Sequence, residues 1–219
     1  MADPTGRVAP GNTVATVMTL DLRDVPAEPA APLEGVGFWR RALARGIDLL
    51  VHMLVGTVTG IVAGLLLVIG AALGGASPDA GLAAMSGNTL TSFAAALLGA
   101  TAMHVLCEGL HGSTIGKRLC GIIVISEDGR PSSLGGALKR DVAYYADAMF
   151  FGLIAFQKMA ASPKRQRIGD IWGRTMVVRI ASLDPSVRPS RLRFAGATLA
   201  GLTADGLMIF LELAYSVIE

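Results

Sequence analysis

The chain has 219 residues, of which 52% are hydrophobic and only 16% are charged, and its formal net charge is +2. Soluble domains carry about a quarter charged residues, so this composition favours a membrane protein. The small net charge excludes nucleic acid as an expected partner, because phosphate binding needs a strongly basic surface. The expected surroundings are the lipid bilayer.

The N-terminal residues 1–35 contain five prolines and scattered charges but no apolar core segment. They therefore lack the apolar region of a signal peptide and predict a flexible tail. Within this tail, the stretch TVATVMTLDL (13–22) is a candidate strand.

Three stretches are apolar and long enough to cross a bilayer, which takes roughly 20 residues. They are Leu43–Leu73, Leu90–Leu110 and Phe194–Val217. A fourth stretch, Val142–Ala161, has a suitable length, but Asp147 interrupts it.

The positions of lysine and arginine indicate the orientation of these segments. The loop 74–89 contains neither residue. All nineteen lie elsewhere: five in 1–45, five in 111–140 and nine in 158–193. If the fourth stretch crossed fully, the last nine would face outward. We therefore predict an all-α transmembrane fold with three crossing helices, an interfacial or re-entrant helical segment at 136–161, and a cytoplasmic N-terminus.

Two short segments, 119–126 (LCGIIVIS) and 174–181 (RTMVVRIA), are rich in β-branched residues, as strands are. The letters SEDGRP after the first indicate a turn. We predict that the two segments pair as a small cytoplasmic β-sheet, since the charge distribution places both on the same side.

Each long helix carries a stripe of polar residues. In the first, positions 41, 45, 48 and 52 step by four, three and four, which keeps them on one helical face. An ionisable group at the bilayer centre costs on the order of 3 kcal/mol, so these stripes should face each other or a water-filled cavity. The candidate ion- or proton-binding residues are Asp48, Glu108, Asp205, Glu212, His52 and His104.

Structural roles are the alternative interpretation of the same residues. Arg41 or Arg45 could offset the charge of Asp48 and fix the register of the helix. Glu212 is close enough to the outer end of its helix to be simply solvated. The glycines Gly56, Gly60 and Gly64 form a doubled GxxxG, which favours close helix contact inside the bundle or in a dimer.

No motif for catalysis or cofactor binding matches the sequence. The stretch HVLCEGLH (104–111) places two histidines and Glu108 on one face, but it lacks the H-E-x-x-H order of a zinc site. GSTIGKRL is one residue too short for a phosphate-binding loop. We therefore expect no enzyme, no metal and no cofactor.

Three segments carry a family resemblance: GFWRRALARGIDLL, EGLHGSTIGKRLCGIIVISEDGRPSSLGGALKRD and SPKRQRIGDIWGRTMVV. Together they resemble the RDD family of bacterial membrane proteins over roughly 37–180. The family is named for an arginine and two aspartates. The resemblance implies Arg41 as the arginine, Asp48 as the first aspartate and Asp170 as the second, with Asp147 as a rival. Arg140 and Asp147 repeat the R-x6-D spacing and form an alternative signature.

The resemblance also implies a place and a role. It places the chain in a bacterial cytoplasmic (inner) membrane and suggests transport, since some members resemble sodium/proton antiporters in activity. We divide the chain into a flexible cytoplasmic tail (1–35), an RDD-like membrane domain (36–181), and a linker with an additional C-terminal transmembrane helix (182–219).

Two functional hypotheses follow. The first is exchange of a small monovalent cation for a proton through the buried carboxylates, in a homo-oligomer because three crossings form too thin a wall for a pore. The alternative is a non-transporting membrane subunit that assembles or stabilises a larger complex with other membrane proteins.

Overall fold

The computed structural model describes residues 33–75, 77, 79, 89–185 and 188–216. Its helices are α1 (Phe38–Leu73), α2 (Thr89–His111), α3 (Ile115–Leu119), α4 (Leu134–Asp147), α5 (Met149–Ala161), α6 (Ile168–Gly173) and α7 (Arg191–Ser216). Its strands are β1 (Ile122–Ser126) and β2 (Thr175–Arg179), and the 3-10 turn Ile180–Ser182 follows β2. The candidate strand at 13–22 lies outside these residues.

Within the described residues, α1, α2 and α7 are long and apolar enough to cross a membrane. The prediction of three crossing helices is therefore confirmed. Two of them begin a few residues earlier than predicted, α1 at Phe38 and α7 at Arg191. In α7 a polar group supports the first turn, because the hydroxyl of Ser190 accepts a hydrogen bond from the N–H of Arg193 at 3.2 Å.

The predicted β-pair is also confirmed. Strands β1 and β2 are antiparallel, with Ile122 opposite Arg179 and Ser126 opposite Thr175. Both faces of the sheet are buried: one packs on Val36 and Ala44, the other on Leu183. Burial on both faces explains why IIVI in β1 is a continuous apolar run rather than an alternating one.

The first strand is shorter than predicted because a helical turn precedes it. Residues 115–119 form α3, whose N-cap is Thr114. The Thr114 hydroxyl accepts a hydrogen bond from the N–H of Lys117 at 3.3 Å, a standard N-cap contact. The second strand is shorter as well, because Arg174 takes a left-handed conformation and the 3-10 turn begins at Ile180.

The segment 134–161 forms two helices, and the backbone is kinked near the start of the second. Phe150, Phe151 and Gly152 all have positive φ, between 53° and 81°. The α5 helix is apolar but has only 13 residues, which is too short for a bilayer span. The segment is thus two short helices with a kink and not a fourth continuous crossing helix.

Helices α2 and α7 pack closely because glycines lie in their interface. A Cβ on Gly201 would lie 2.7 Å from Sγ of Cys107, and one on Gly99 would lie 2.5 Å from Oδ1 of Asp205. In the GxxxG stripe of α1, Gly56 packs against Ile209 of α7, whereas Gly60 has open space beside it.

Candidate functional site

Charged side chains from α1, α2, α3, α4 and the start of α6 meet at one end of the bundle. We call them the ionic cluster, and its members are Arg41, Glu108, Lys117, Arg140, Asp147, Arg167 and Asp170. Their side chains are at most 18% exposed. Cations and acids alternate in the cluster, so each buried charge has an opposite charge beside it.

Asp170 lies at the centre of the cluster and is fully buried. It forms ion pairs with Arg41 and with Arg140, whose Nη1 lies 3.1 Å from Oδ1. Burial alone would raise the pKa of Asp170, but the guanidinium groups of Arg41, Arg140 and Arg167 outweigh burial and lower the pKa to about 2. The carboxylate is therefore ionised at neutral pH.

Arg41 is held by three different partners. It donates to Asp170, to the backbone carbonyl of Val36 at 2.9 Å and to that of Arg165 at 2.8 Å. The side chain thus joins the start of α1 to the loop before α6. Its contacts bring together two of the residues assigned by the resemblance, Arg41 and Asp170.

Glu108 on α2 pairs with two cations from other elements. One oxygen bonds the ammonium group of Lys117, and the other lies 3.2 Å from Nε of Arg140. The side chain of Glu108 is only 6% exposed. Glu108 therefore links α2 to α3 and α4.

Asp48 binds the turn that begins α3. Its carboxylate accepts hydrogen bonds from the hydroxyl of Thr114 at 2.5 Å and from the N–H of Gly116 at 2.7 Å. Nε2 of His104 lies 3.7 Å away from the same carboxylate. The Nδ1 atom of His104 donates to the carbonyl of Ala100 at 2.7 Å, because a carbonyl can only accept.

The proposed pairing of Arg41 or Arg45 with Asp48 is wrong. Arg41 binds Asp170, and Arg45 lies 3.3 Å from Oδ1 of Asp141 on α4. Seven residues of helix separate Arg41 from Asp48 by about 10 Å along the axis. Arg45 is only three residues from Asp48, within reach on a helix, but its guanidinium pairs with Asp141 instead.

Arg140 and Asp147, the alternative signature, do not pair with each other either. Asp147 accepts hydrogen bonds from the N–H groups of Ile168 and Gly169, both at 3.1 Å. It therefore stabilises the first turn of α6, where free backbone donors favour a carboxylate.

A separate polar pair lies deeper in the bundle, on α1 and α7. Nδ1 of His52 lies 2.9 Å from both carboxylate oxygens of Asp205. Asp205 is fully buried, and the side chain of His52 is 15% exposed. Glu212, farther along α7, is half-buried and accepts a hydrogen bond from the hydroxyl of Ser92 at 2.6 Å.

A cavity of about 580 Å³ lies beside this pair, between α1, α2, α4 and α5. We call it the interhelical cavity. His52 lines it at one place and Arg45 at another, and Leu49 lies between them on α1. The cavity therefore extends along α1 from the region of the ionic cluster to the His52–Asp205 pair.

Several residues in the ionic cluster or beside it were not identified from the sequence. Thr114 and Lys117 belong to the quoted GSTIGKRL motif, and Asp141 directly follows Arg140. These residues lie outside the long apolar helices, so they are not part of the polar stripes from which the candidate residues were predicted. Among the residues that the structure describes, no three His, Cys, Asp or Glu side chains are grouped to hold a metal ion.

Three apolar helices of membrane length with a buried ionic cluster at one end define an integral membrane protein. The RDD family model matches residues 36–174, well over half of the chain. The chain therefore belongs to the RDD family. No curated protein and no solved structure matches it. The matched region includes the whole ionic cluster but ends before α7, so Asp205 lies outside it.

Proposed function

We propose that the protein is a carrier that exchanges a monovalent cation for a proton, with His52 and Asp205 as the exchanging pair. The observation that supports this proposal is the contact of 2.9 Å between a buried carboxylate and an imidazole beside the interhelical cavity. Ionisable groups within membrane helices are costly and commonly mark proton or ion pathways. The imidazole and the carboxylate lie within hydrogen-bond distance, so a proton can pass between His52 and Asp205 along this contact.

The other candidate carboxylates are less suited to exchange. Asp48 already accepts two hydrogen bonds, and Glu108 already pairs with two cations. A transported cation would have to displace these partners and leave buried charges unpaired, which is strongly destabilising. We assign Asp48 and Glu108 to holding the bundle together.

The orientation belongs to the same proposal. The start of α1, the end of α2 and the start of α7 carry the basic residues, whereas the loop 74–89 contains no lysine or arginine. By the positive-inside rule, the ionic cluster and the sheet face the cytoplasm of a bacterial inner membrane. Because three helices do not enclose a pathway by themselves, the carrier works as an oligomer.

The second candidate function is that of a non-transporting membrane subunit. The observation that favours it is that each charge in the ionic cluster already has an opposite charge beside it. The ion pairs connect α1, α2, α3, α4 and α6 at one end of the bundle. Such an end could dock a partner through the sheet and the basic loop 162–167.

Purified protein in liposomes with an internal pH-sensitive dye tests the exchange. A pulse of sodium or potassium should change the internal pH with wild-type protein, and Asp205→Asn and His52→Gln should abolish the change. Glu212→Gln is the matched control, because it removes a carboxylate that lies farther along the same helix. Undiminished flux in Asp205→Asn would overturn the site, and folded wild-type protein without any flux would favour the subunit hypothesis.

A further inference from the structure

The residues that line the interhelical cavity are partly apolar and partly charged, as expected of a site that binds an amphiphilic molecule. Its volume of about 580 Å³ lies within the range of about 300–1,000 Å³ that is usual for ligand pockets. Most of its wall is apolar, formed by side chains such as Leu49, Phe93, Leu97 and Phe151. The charged residues among its lining lie towards the start of α1 and of α6.

The charges that remain accessible in this cavity are those of guanidinium groups. The side chain of Arg45 is 25% exposed and that of Arg167 is 18% exposed. Their acidic partners are buried, with Asp141 at 7% and Asp147 at 1%. A ligand in the cavity would therefore meet positive charge.

The ring of Tyr144 contacts both guanidinium groups. The Cζ atom of Arg45 lies 4.0 Å from the centre of the Tyr144 ring, and that of Arg167 lies 5.4 Å from it. Nε of Arg167 is buried and lies 3.6 Å from Oδ2 of Asp147 and 3.7 Å from Oδ1 of Asp170, so it forms ion pairs but no hydrogen bond. Both arginines thus line the cavity beside one aromatic ring, and arginine binds phosphate through paired N–H donors.

We propose that the interhelical cavity binds an anionic glycerophospholipid, with its phosphate at Arg45 and Arg167 and one acyl chain along Leu49, Phe93 and Leu97. The charge complementarity and the apolar continuation of the cavity select this partner. The acyl chain buries apolar surface against the cavity wall while the headgroup stays at the charged end. This site does not depend on cation exchange, because Arg45 and Arg167 take no part in the His52–Asp205 pair.

Native mass spectrometry of the full-length protein in detergent tests the site, with phosphatidylglycerol and phosphatidylcholine of the same acyl chains as probes. Wild-type protein should retain phosphatidylglycerol in preference to phosphatidylcholine by about fivefold or more. Both lipids carry a phosphate, but the choline group of the second adds a positive charge beside the guanidinium groups. Inorganic phosphate at the same concentration should not displace the lipid. Equal retention of the two lipids, or displacement by phosphate alone, would overturn the proposal.

Two variants locate the binding. Gly46→Leu fills the cavity, because Gly46 lines it and a Cβ there has no atom within 4 Å. It should abolish the preference, whereas Gly70→Leu, at another open position on α1, should keep it.

The double variant Arg45→Gln/Asp141→Asn removes the guanidinium without leaving its buried acid unpaired, and it should lower the preference about fivefold. An unchanged preference in either cavity variant would contradict the assignment.

Discussion

Asp48 on α1 accepts a hydrogen bond from the backbone N–H of Gly116 at 2.7 Å, in the first turn of α3. The contact requires a glycine, because a Cβ at position 116 would overlap the backbone carbonyl of Ala44. The first membrane helix is thereby joined to the GSTIGKRL segment at a point where the two backbones nearly touch. We therefore expect a side chain at position 116 to disturb the packing of α3 on α1.

The variant Gly116→Ala should destabilise the protein by about 1–3 kcal/mol, because α3 must move away from α1 and Asp48 loses a donor. The measurement is the thermal unfolding midpoint in detergent. Gly135→Ala on α4 is the matched control, since a Cβ there has no atom within 4 Å. Its midpoint should stay level or rise slightly, as alanine favours a helix over glycine. Equal midpoints for the two variants would show that the junction does not constrain the fold.

Asp170 should make the stability depend on pH in the acidic range. Its folded pKa of about 2 lies below the ordinary value of 3.8, so the folded state binds the proton more weakly than the unfolded state does. The resulting stabilisation, about 2 kcal/mol, is present above about pH 4 and is lost as the pH falls towards 2.

Unfolding midpoints of the wild type should therefore fall steeply between about pH 4 and pH 2, the interval between the unfolded and folded pKa values of Asp170. Asp170→Asn should have a lower midpoint at pH 7, because Arg41 and Arg140 lose their shared partner, and it should change less across the acidic interval. A variant as steep as the wild type in that interval would assign the acid sensitivity to other carboxylates.

Glu108 and Glu212 allow the same substitution to be compared in two environments. Glu108→Gln leaves Lys117 and Arg140 without their carboxylate and should cost about 3–5 kcal/mol, the usual effect of breaking a buried ion pair. Glu212→Gln affects a half-buried group whose partner is a neutral hydroxyl, so its effect should stay within about 1 kcal/mol. Denaturant unfolding followed by tryptophan fluorescence measures both. Similar losses in the two variants would mean that the ionic cluster contributes little to stability.

The interface between α2 and α7 can be tested through two glycines on α7. Gly201→Leu introduces a side chain where a Cβ already lies 2.7 Å from Sγ of Cys107, so it should separate the helices and lower the unfolding midpoint. Gly196→Leu, where a Cβ has no atom within 4 Å, should leave the midpoint almost unchanged. If Gly201→Leu unfolds like the wild type, the close approach of these helices is not needed for the fold.

Much of the fold could be predicted from local sequence. Three apolar runs of membrane length gave α1, α2 and α7, and two β-branched segments gave β1 and β2. These features are encoded locally, because helix length and strand composition depend on neighbouring residues along the chain. The observed boundaries differ from the predicted ones where a single polar group caps a helix, as the hydroxyls of Thr114 and Ser190 do.

The polar stripes were also visible in the sequence, because a helix returns to the same face every three or four residues. The partners of these polar residues could not be predicted from the sequence, because pairing depends on which element lies opposite each side chain. Arg41 and Asp48 share a face yet lie about 10 Å apart along α1, so Arg41 binds Asp170 on α6. Likewise, His52 meets Asp205 only because α7 packs against α1.

The sequence by itself determined that this chain enters a membrane with three helices and carries charges it must bury. Only the tertiary structure decided how those charges are neutralised, because opposite charges far apart in sequence come within hydrogen-bonding distance when the helices pack. It also created the interhelical cavity, whose walls come from four helices and cannot be read from any one of them.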